Sequence, residues 1–307
     1  MISTQLVPDH TSTLADDLRV ILRGIAIRAT RFGIDCDYPG ITPTKLRSLF
    51  GLALKQTSEA TYRRVFEPPG SRPRPFVIRS RSDERPGFEF IAFADTINDA
   101  EIINAAWQRA ADIGFTERRE RFPFTITSAE CLEADGQPCG HFLHNGIWSA
   151  HTANCGTMTP NASAAIYTLS PLRLLQSQMK QPRRRGDRPL LQNPTLNDVV
   201  TAGIRRISQL ADVPRSHTES LVKAALAACP DSQFDRLTVQ SLDRFSRNHN
   251  DRIRMDGVIG RLNLPAGTGP FFSLLHALQW LHVGKGTVHG LGRIELRSVE
   301  HLPGKPR

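Results

Sequence analysis

A glycine-rich loop near the C-terminus carries residue types that suit the binding of a phosphate group. It spans residues 284–292 and contains four glycines, Gly284, Gly286, Gly290 and Gly292. Glycine tolerates positive φ and lets the backbone come close to a ligand, and Lys285 and Thr287 add a cation and a hydroxyl group. Glycines at this density also occur in tight turns, so the loop alone leaves both interpretations open.

The order of elements around this loop argues against two common nucleotide-binding sites. The spacing of Phe271, Leu274 and Leu278 predicts a helix over 270–282, before the loop. Residues 290–298 are predicted as a strand. Nucleotide-binding fingerprints run from strand to loop to helix, and the P-loop pattern G-x-x-x-x-G-K-[ST] is absent. A Rossmann or P-loop enzyme is therefore not expected.

Positive charge, mostly from arginine, points to a polyanionic partner. The formal net charge is +9, and only six of the 39 basic residues are lysine. The isoelectric point is about 9.8. Arginine binds phosphate with two parallel hydrogen bonds and stacks on bases, so the bias favours a nucleic acid. A genome rich in G and C would enrich arginine equally, without any functional meaning.

The cations that we expect to contact a nucleic acid lie on a predicted helix and a predicted hairpin. Lys45 and Arg47 face outward on the helix over 44–55. The hairpin, 237–248 with 252–264, carries a candidate phosphate track, Arg244, Arg247, Arg252 and Arg254. Such a track can hold the phosphates of a nucleic acid. The run at 183–185 is more typical of a solvated loop.

The loop also resembles a known family signature. The run LHVGKGTVHGLGRIEL, residues 281–296, resembles the C-terminal signature of the CRISPR-associated endoribonucleases that process precursor CRISPR RNA. These form the sixth Cas family, in the RAMP superfamily. The hairpin segment 242–264 resembles the one that precedes the helix in that family. Four earlier phrases match in the same order, LRSLFGLAL (46–54), YRRVFEPP (62–69), RPFVIR (74–79) and LSPLRLL (169–175).

The pattern of predicted elements and the resemblance both indicate an α+β protein with two tandem ferredoxin-like, RRM-like (βαββαβ) domains. The first, 1–150, starts with a helix at 11–22, and its further elements are predicted at 23–32, 44–55, 76–78, 88–93, 102–114 and 121–126. The second, 151–307, has elements predicted at 164–169, 195–211, 217–229, 237–248, 252–264, 270–282 and 290–298. Residues 128–160 are expected to form an insertion or inter-domain hairpin, and a β-bulge is expected near Gly260.

The resemblance implies a reaction as well as a fold. In this family the RNA 2′-hydroxyl attacks the adjacent phosphate, which gives a 2′,3′-cyclic phosphate and a free 5′-hydroxyl without a metal. Such chemistry needs a base, an acid and cations near the phosphate. The implied partner is CRISPR repeat RNA, precursor and mature, with other subunits of a CRISPR effector complex. No cofactor is expected.

The family histidine is absent at its usual position. Relatives commonly have the sequence F-G-H-A-L in or near the first helix of the N-terminal domain. Residues 50–54 of this chain, in the helix predicted over 44–55, are F-G-L-A-L, so Leu52 takes the place of the histidine. The candidate replacements as general acid or base are Tyr38, Lys45, Lys55, His282 and His289, and of these Tyr38, Lys55 and His289 are taken as the predicted catalytic residues. Tyr38 also fits a Tyr-Pro-Gly turn, Lys55 a solvated surface, and His289 packing or base stacking. His282 ends the predicted helix and fits a core position. The alternative function is a non-cleaving subunit that binds CRISPR RNA.

A cluster of sulfur and imidazole groups raises the question of a metal. It comprises Cys131, Cys139, His141, His144, His151 and Cys155. Neither C-x-x-C nor H-x₃-H occurs, so no metal site is predicted, and a metal-dependent enzyme is the third and weakest function considered. Five cysteines without a dense framework, no signal peptide and no apolar run near ~20 residues lead us to expect a cytoplasmic protein without a membrane partner.

Overall fold

The computed structural model describes residues 10–70, 72–81, 86–117, 120–139, 146–152, 164–176, 189–246 and 251–298. For 10–12, 243–246 and 251–252 it describes the backbone alone. The helices are α1 His10–Arg23, α2 Pro43–Thr57, α3 Glu59–Phe66, α4 Ala100–Ile113, α5 Leu196–Leu210, α6 Arg215–Ala228 and α7 Phe272–Leu281. The strands are β1 Ala26–Asp35, β2 Phe76–Ser80, β3 Gly87–Phe93, β4 Phe115–Glu117, β5 Glu120–Phe122, β6 Thr125–Leu132, β7 Ile147–Ser149, β8 Ala164–Thr168, β9 Phe234–Ser246, β10 Asp251–Leu264 and β11 Ile294–Ser298.

The first sheet has the ferredoxin-like strand order. Its neighbours run β2-β3-β1-β6, all antiparallel, with β7 pairing the start of β1. Helices α2 and α4 provide the two crossovers, which gives βαββαβ. Thr42 caps α2 by accepting from the Lys45 amide, and Pro43 occupies the first turn, where its missing N–H is tolerated.

The second sheet repeats that order with β11-β8-β10-β9. Helices α5 and α6 form its first crossover and α7 its second. The register of β9 and β10 shifts between Ile259 and Arg261, which confirms the irregularity expected near Gly260. The extra residue lies on β9, where Arg236 has φ 53°. The prediction of two ferredoxin-like units in an α+β protein is thus confirmed.

One predicted strand was misplaced. The last strand of the first unit was expected at 121–126, whereas β6 runs over Thr125–Leu132 and follows a short β4–β5 hairpin. The sequence of β6, TITSAECL, begins with mostly exposed residues and buries only its last two. A strand with so little apolar alternation carries a weak local signal.

The first sheet is covered on both faces. Side chains such as Phe32, Phe88 and Phe90 pack against α2 and α4, with Phe50 and Trp107 at the centre of that core. The opposite face joins the core of the second unit, where α1 and α7 lie. Hence one continuous apolar region links the two units.

The chain passes from the first sheet to the second between β7 and β8. Residues 153–163 of this connection lie outside the described residues, so the domain boundary at 150–151 stays a prediction. In the described part of the chain, no helix is both long and apolar enough to cross a membrane.

Candidate nucleic-acid interface

A cleft of about 1330 Å³ opens between the two units. Its walls come from the segment 66–74 of the first unit and from 173–176, α5, the start of β10 and the glycine-rich loop of the second. The basic side chains that line it are Arg72, Arg74, Arg173, Arg205, Arg206 and Lys285. Glu67 and Asp198 are the acidic residues of the described lining. The cleft therefore has an excess of positive charge, which suits a polyanion.

The glycine-rich loop lies on the segment 171–173. The Lys285 amide donates to the Arg173 carbonyl (2.9 Å), and the Gly292 amide donates to the Pro171 carbonyl (3.0 Å). These bonds hold the loop backbone in place while the Lys285 side chain stays exposed at the cleft. The phrase LSPLRLL, singled out by the family resemblance, thus forms the support of the loop.

Close packing explains why two of the glycines are needed. Both have positive φ, 79° at Gly290 and 72° at Gly292. A Cβ at Gly290 would lie 2.8 Å from the Pro43 side chain and 3.1 Å from the Ile78 carbonyl, both in the first unit. A Cβ at Gly292 would lie only 1.8 Å from the Val283 carbonyl. These glycines close the loop and seat it on the other unit.

His282 joins the two ends of this loop from a fully buried position. Its Nδ1 lies 2.9 Å from the Leu291 carbonyl, so that nitrogen carries the proton and donates. Burial holds the pKa of His282 well below its usual value, and the nearby guanidinium of Arg79 lowers it further. The ring is therefore neutral at neutral pH, which agrees with the core position expected from the sequence.

His289 and Lys285 both line the cleft and lie close together in the sequence. His289 ends the short 3₁₀ helix Thr287–His289, is 7% exposed, and lines the cleft with Lys285 and Thr287. Both residues therefore border the same space, Lys285 with an exposed side chain and His289 with a buried Nδ1 atom. This pairing suits acid–base chemistry beside a bound phosphate.

Tyr38 and Lys55 are absent from the described lining of the cleft. The Tyr38 hydroxyl donates to Glu117, and the ring stacks on Phe115 at 5.2 Å. Lys45 lies over the same ring at 4.4 Å, with its Nζ 3.5 Å from the Glu117 carboxylate. Lys55 is exposed near the end of α2, 5.6 Å from the Tyr62 ring centroid.

Leu52, which stands where the family pattern has histidine, lies on α2 and is 41% exposed. Its neighbour Gly51 packs against the Phe66 ring, which lines the cleft. Arg47 lies on the same helix with its guanidinium 5.3 Å from the Phe66 ring centroid. This part of α2 thus adjoins a wall of the cleft.

The predicted hairpin track is only partly described. Ile253 and Met255 line the cleft, so Arg254 between them projects from the opposite face of β10. There it forms an ion pair with Asp256 at 2.7 Å. For Arg244 and Arg252 the structure describes only the backbone, and Arg247 lies outside the described residues.

Five arginines of the cleft were missed as RNA-contact candidates in the sequence. Arg205 is exposed, whereas Arg206 is buried and donates from Nε to the Leu281 carbonyl at 2.6 Å. Burial lowers the pKa of Arg206 to about 10, so it stays cationic at neutral pH. Arg173, inside LSPLRLL, and Arg74, at the start of RPFVIR, carried a prior signal because they lie in phrases that match the family. The others, Arg72, Arg205 and Arg206, show no local pattern that separates them from solvated arginines.

The cysteine–histidine cluster provides no metal site in the part of the chain that is described. There, no group of three His, Cys, Asp or Glu side chains could hold an ion. His141, His144 and Cys155 lie outside the described residues. Cys131 and Cys139 do lie side by side, because the Cys139 amide donates to the Cys131 carbonyl at 2.9 Å.

Comparison with known protein families extends these observations. Residues 166–294, which contain the loop and its support, match the family model described as CRISPR-associated endoribonuclease Cas6. The matched family is Cas6. This match confirms the resemblance found in the sequence, and it places the Cas6 signature in the second unit. No curated protein matches the chain.

Solved Cas6 structures share the fold. A Cas6 product complex has a TM-score of 0.58 at 14% identity, covering 87% of this chain and 98% of that one. Thermus thermophilus Cas6 has a TM-score of 0.52 at 15% identity, covering 89% and 99%. A chain of a partial Cas6-RT-Cas1–Cas2 complex has a TM-score of 0.53 at 14% identity, covering 92% of this chain and 47% of that one. At these identities the likeness concerns the fold.

Proposed function

We propose that the chain binds CRISPR repeat RNA in the cleft and cleaves precursor CRISPR RNA within its repeats, without a metal. The observation that carries this proposal is the shared position of Lys285 and His289 on a glycine-rich loop that matches the Cas6 model. The loop faces a cleft with six basic and two acidic described lining residues. A phosphate backbone is the ligand that such charge attracts.

The reaction uses the RNA itself as the nucleophile. A 2′-hydroxyl attacks the neighbouring phosphorus, the bond to the 5′-oxygen breaks, and the products are a 2′,3′-cyclic phosphate and a 5′-hydroxyl. His289 contributes an imidazole to the described lining of the cleft, a group that can serve as a general acid or base. Lys285 offers its ammonium group to the phosphate oxygens as negative charge develops. Tyr38 and Lys55 remain proposals for the second proton-transfer group.

The second candidate is a subunit that binds CRISPR RNA without cleaving it. The observation that favours this function is Leu52, whose apolar side chain is 41% exposed where the family pattern has histidine. A leucine cannot transfer a proton, so the reaction would lack one of its usual groups. In either case, the similarity between this chain and a chain of the partial Cas6-RT-Cas1–Cas2 complex supports other CRISPR proteins as partners.

The decisive experiment incubates the protein with its own repeat RNA in excess EDTA. We expect slow cutting at one site, at the 3′ side of the repeat hairpin, and products with cyclic phosphate ends. A 2′-deoxy substitution at the nucleotide before the cut should block the reaction, because the nucleophile is removed. Cutting that requires a divalent ion, or that survives the deoxy substitution, would contradict the mechanism.

Variants assign the side chains. His289→Ala should slow cutting by about 10²–10⁴-fold while RNA stays bound, the loss typical of a general acid or base. Lys55→Ala and Tyr38→Phe test the other two candidates in the same assay. Leu52→His restores the family residue at an exposed helix position, and we expect faster cutting. Tight binding of RNA that stays intact with both wild type and Leu52→His would favour the non-cleaving subunit.

A further inference from the structure

Two cysteines face each other across a hairpin that follows β6. The Cys139 amide donates to the Cys131 carbonyl at 2.9 Å, and Leu132 pairs with Pro138 next to them. Cys131 and Cys139 are therefore directly opposite residues of an antiparallel pair. In such a hydrogen-bonded pair the Cα atoms lie about 5.5 Å apart, which is within the range that a disulfide spans.

Both sulfur atoms lie beside Gly146. A Cβ built there would be 3.1 Å from Cys139 Sγ, 3.7 Å from Cys131 Sγ and 2.9 Å from Cys131 Cβ. Both residues are reduced thiols in the structure. Cys131 is 1% exposed, whereas Cys139 is half-buried, so a small reagent reaches Cys139 first.

We propose that Cys131 and Cys139 form a redox-active thiol pair, which closes to a reversible disulfide when a small-molecule disulfide oxidises it. The Cys139 thiolate attacks the small disulfide and releases one thiol, which leaves a mixed disulfide on Cys139. The Cys131 thiolate then displaces the second thiol and forms the Cys131–Cys139 bond. Two protein S–H bonds are lost, one S–S bond forms, and the small disulfide takes up the two electrons and two protons.

The two thiols are suited to different steps. Burial raises the pKa of Cys131 and the adjacent Cys139 raises it further, so Cys131 is a poor first attacker. Because Cys131 lies beside the mixed disulfide, its sulfur needs only to reach the sulfur of Cys139. This division of roles follows from the difference in exposure.

The disulfide would restrain a turn at the interface of the two units. The carbonyl of Gly136, between the two cysteines, accepts from Arg31 Nη2 at 3.5 Å. A Cβ at Gly136 would lie 4.0 Å from the Trp280 ring of α7. The disulfide reduces the conformational entropy of the unfolded chain and fixes this turn. The oxidised protein should therefore be more stable than the reduced protein.

The test treats the folded full-length chain with oxidised glutathione, blocks remaining thiols with N-ethylmaleimide, and maps peptides by mass spectrometry. We expect a Cys131–Cys139 crosslink that dithiothreitol reverses, and a melting temperature several degrees above that of reduced protein. Cys36→Ser, a matched control, should keep the crosslink. In the Cys131→Ser variant the reaction should stop at the mixed disulfide between glutathione and Cys139. The Cys131→Ala variant should give the same product, and its side chain suits a buried site.

Two outcomes would overturn the proposed thiol pair, and a third would overturn the restraint that its disulfide places on the turn. The first is a wild-type protein that accumulates glutathione on Cys139 without forming the internal bond. The second is a disulfide from either cysteine to another, such as Cys155. The third, oxidised protein that melts no higher than reduced protein, would remove the proposed restraint of the turn. None of these depends on RNA binding or cleavage.

Discussion

Glu89 and Arg79 form a buried ion pair at the interface of the two units, with Arg79 Nε 2.6 Å from a Glu89 oxygen. Arg31 donates to the other carboxylate oxygen at 3.0 Å. Burial alone would raise the pKa of Glu89, but the charge and hydrogen bond of Arg79, together with the charges of Arg293 and Arg31, outweigh it and hold the pKa below its usual value. Arg79 also donates to the Gln279 carbonyl at 2.9 Å, and so connects β2 to α7.

Glu89→Gln should destabilise the protein by about 3–5 kcal/mol, because it leaves the buried guanidinium of Arg79 and the partly buried guanidinium of Arg31 without their carboxylate. Chemical denaturation measures the loss. The control is Asp16→Asn, which breaks the exposed pair with Arg19 (3.0 Å) and should cost less than about 1 kcal/mol. Equal effects of the two substitutions would show that the buried pair contributes no more than a surface pair.

Gly290→Ala should destabilise the loop and its contact with the first unit, whereas Gly70→Ala should cost only about 1–2 kcal/mol. Both glycines have positive φ, 79° and 67°. A Cβ at Gly290 meets Pro43 at 2.8 Å, and one at Gly70 meets no atom within 4 Å. The difference between the two melting curves therefore isolates steric contact from backbone strain. Equal losses would mean that strain alone explains the need for glycine.

Acid should destabilise the protein through His282 between pH 7 and pH 5. The folded-state pKa of His282 is lowered by burial, so the unfolded chain binds the proton more readily. Its contribution to stability is present above about pH 6.5, the unfolded value, and decreases as pH falls below it. A single such histidine accounts for about 2 kcal/mol over this range.

His282→Asn tests that origin with little change in backbone preference. Asparagine tolerates positive φ, which His282 adopts at 57°, and its amide can replace the donor to Leu291. Free energies of unfolding at pH 7 and pH 5 should differ by about 2 kcal/mol less than in wild type. His217→Asn, at an exposed position of α6, is the matched control. The same pH dependence in wild type and His282→Asn would assign it to other groups.

Lys285→Ala and Arg205→Ala should each weaken binding of repeat RNA by about 1–3 kcal/mol, because each removes a cation from the cleft. Each should also reduce the salt dependence of binding. The control is Arg215→Ala, which lies on α6, pairs with Glu219 at 2.7 Å and is not among the described lining residues. Fluorescence anisotropy at several salt concentrations measures both effects.

Arg254→Ala separates the hairpin track from the cleft in the same assay. A loss of affinity as large as that of Lys285→Ala would support RNA contact on the outer face of β10. Affinity unchanged in Lys285→Ala and Arg205→Ala, but reduced in Arg215→Ala, would contradict the cleft as the RNA site.

Local patterns in the sequence were sufficient for most helices and strands. An element was predicted at 88–93, and β3 spans Gly87–Phe93 there, with all but its first residue buried. The same kind of evidence gave both βαββαβ units and the irregularity near Gly260. The loop was predicted because glycine density and one lysine are local features. The bounds of α2 were less precise, since the helix was predicted over 44–55 and spans Pro43–Thr57, with Thr42 as its cap.

Only the tertiary structure decided which residues meet. Arg72, Arg173 and Lys285 lie on three distant segments, yet they line one cleft. Glu89 lies among Arg31, Arg79 and Arg293, the last of them about two hundred residues away. The sequence by itself determined the two units, the glycine-rich loop and the positive charge, because these depend on spacing and composition within short stretches. Contacts between distant segments leave no periodic signal, so the cleft, the buried ion pair and the position of His289 came from the packing of one unit on the other.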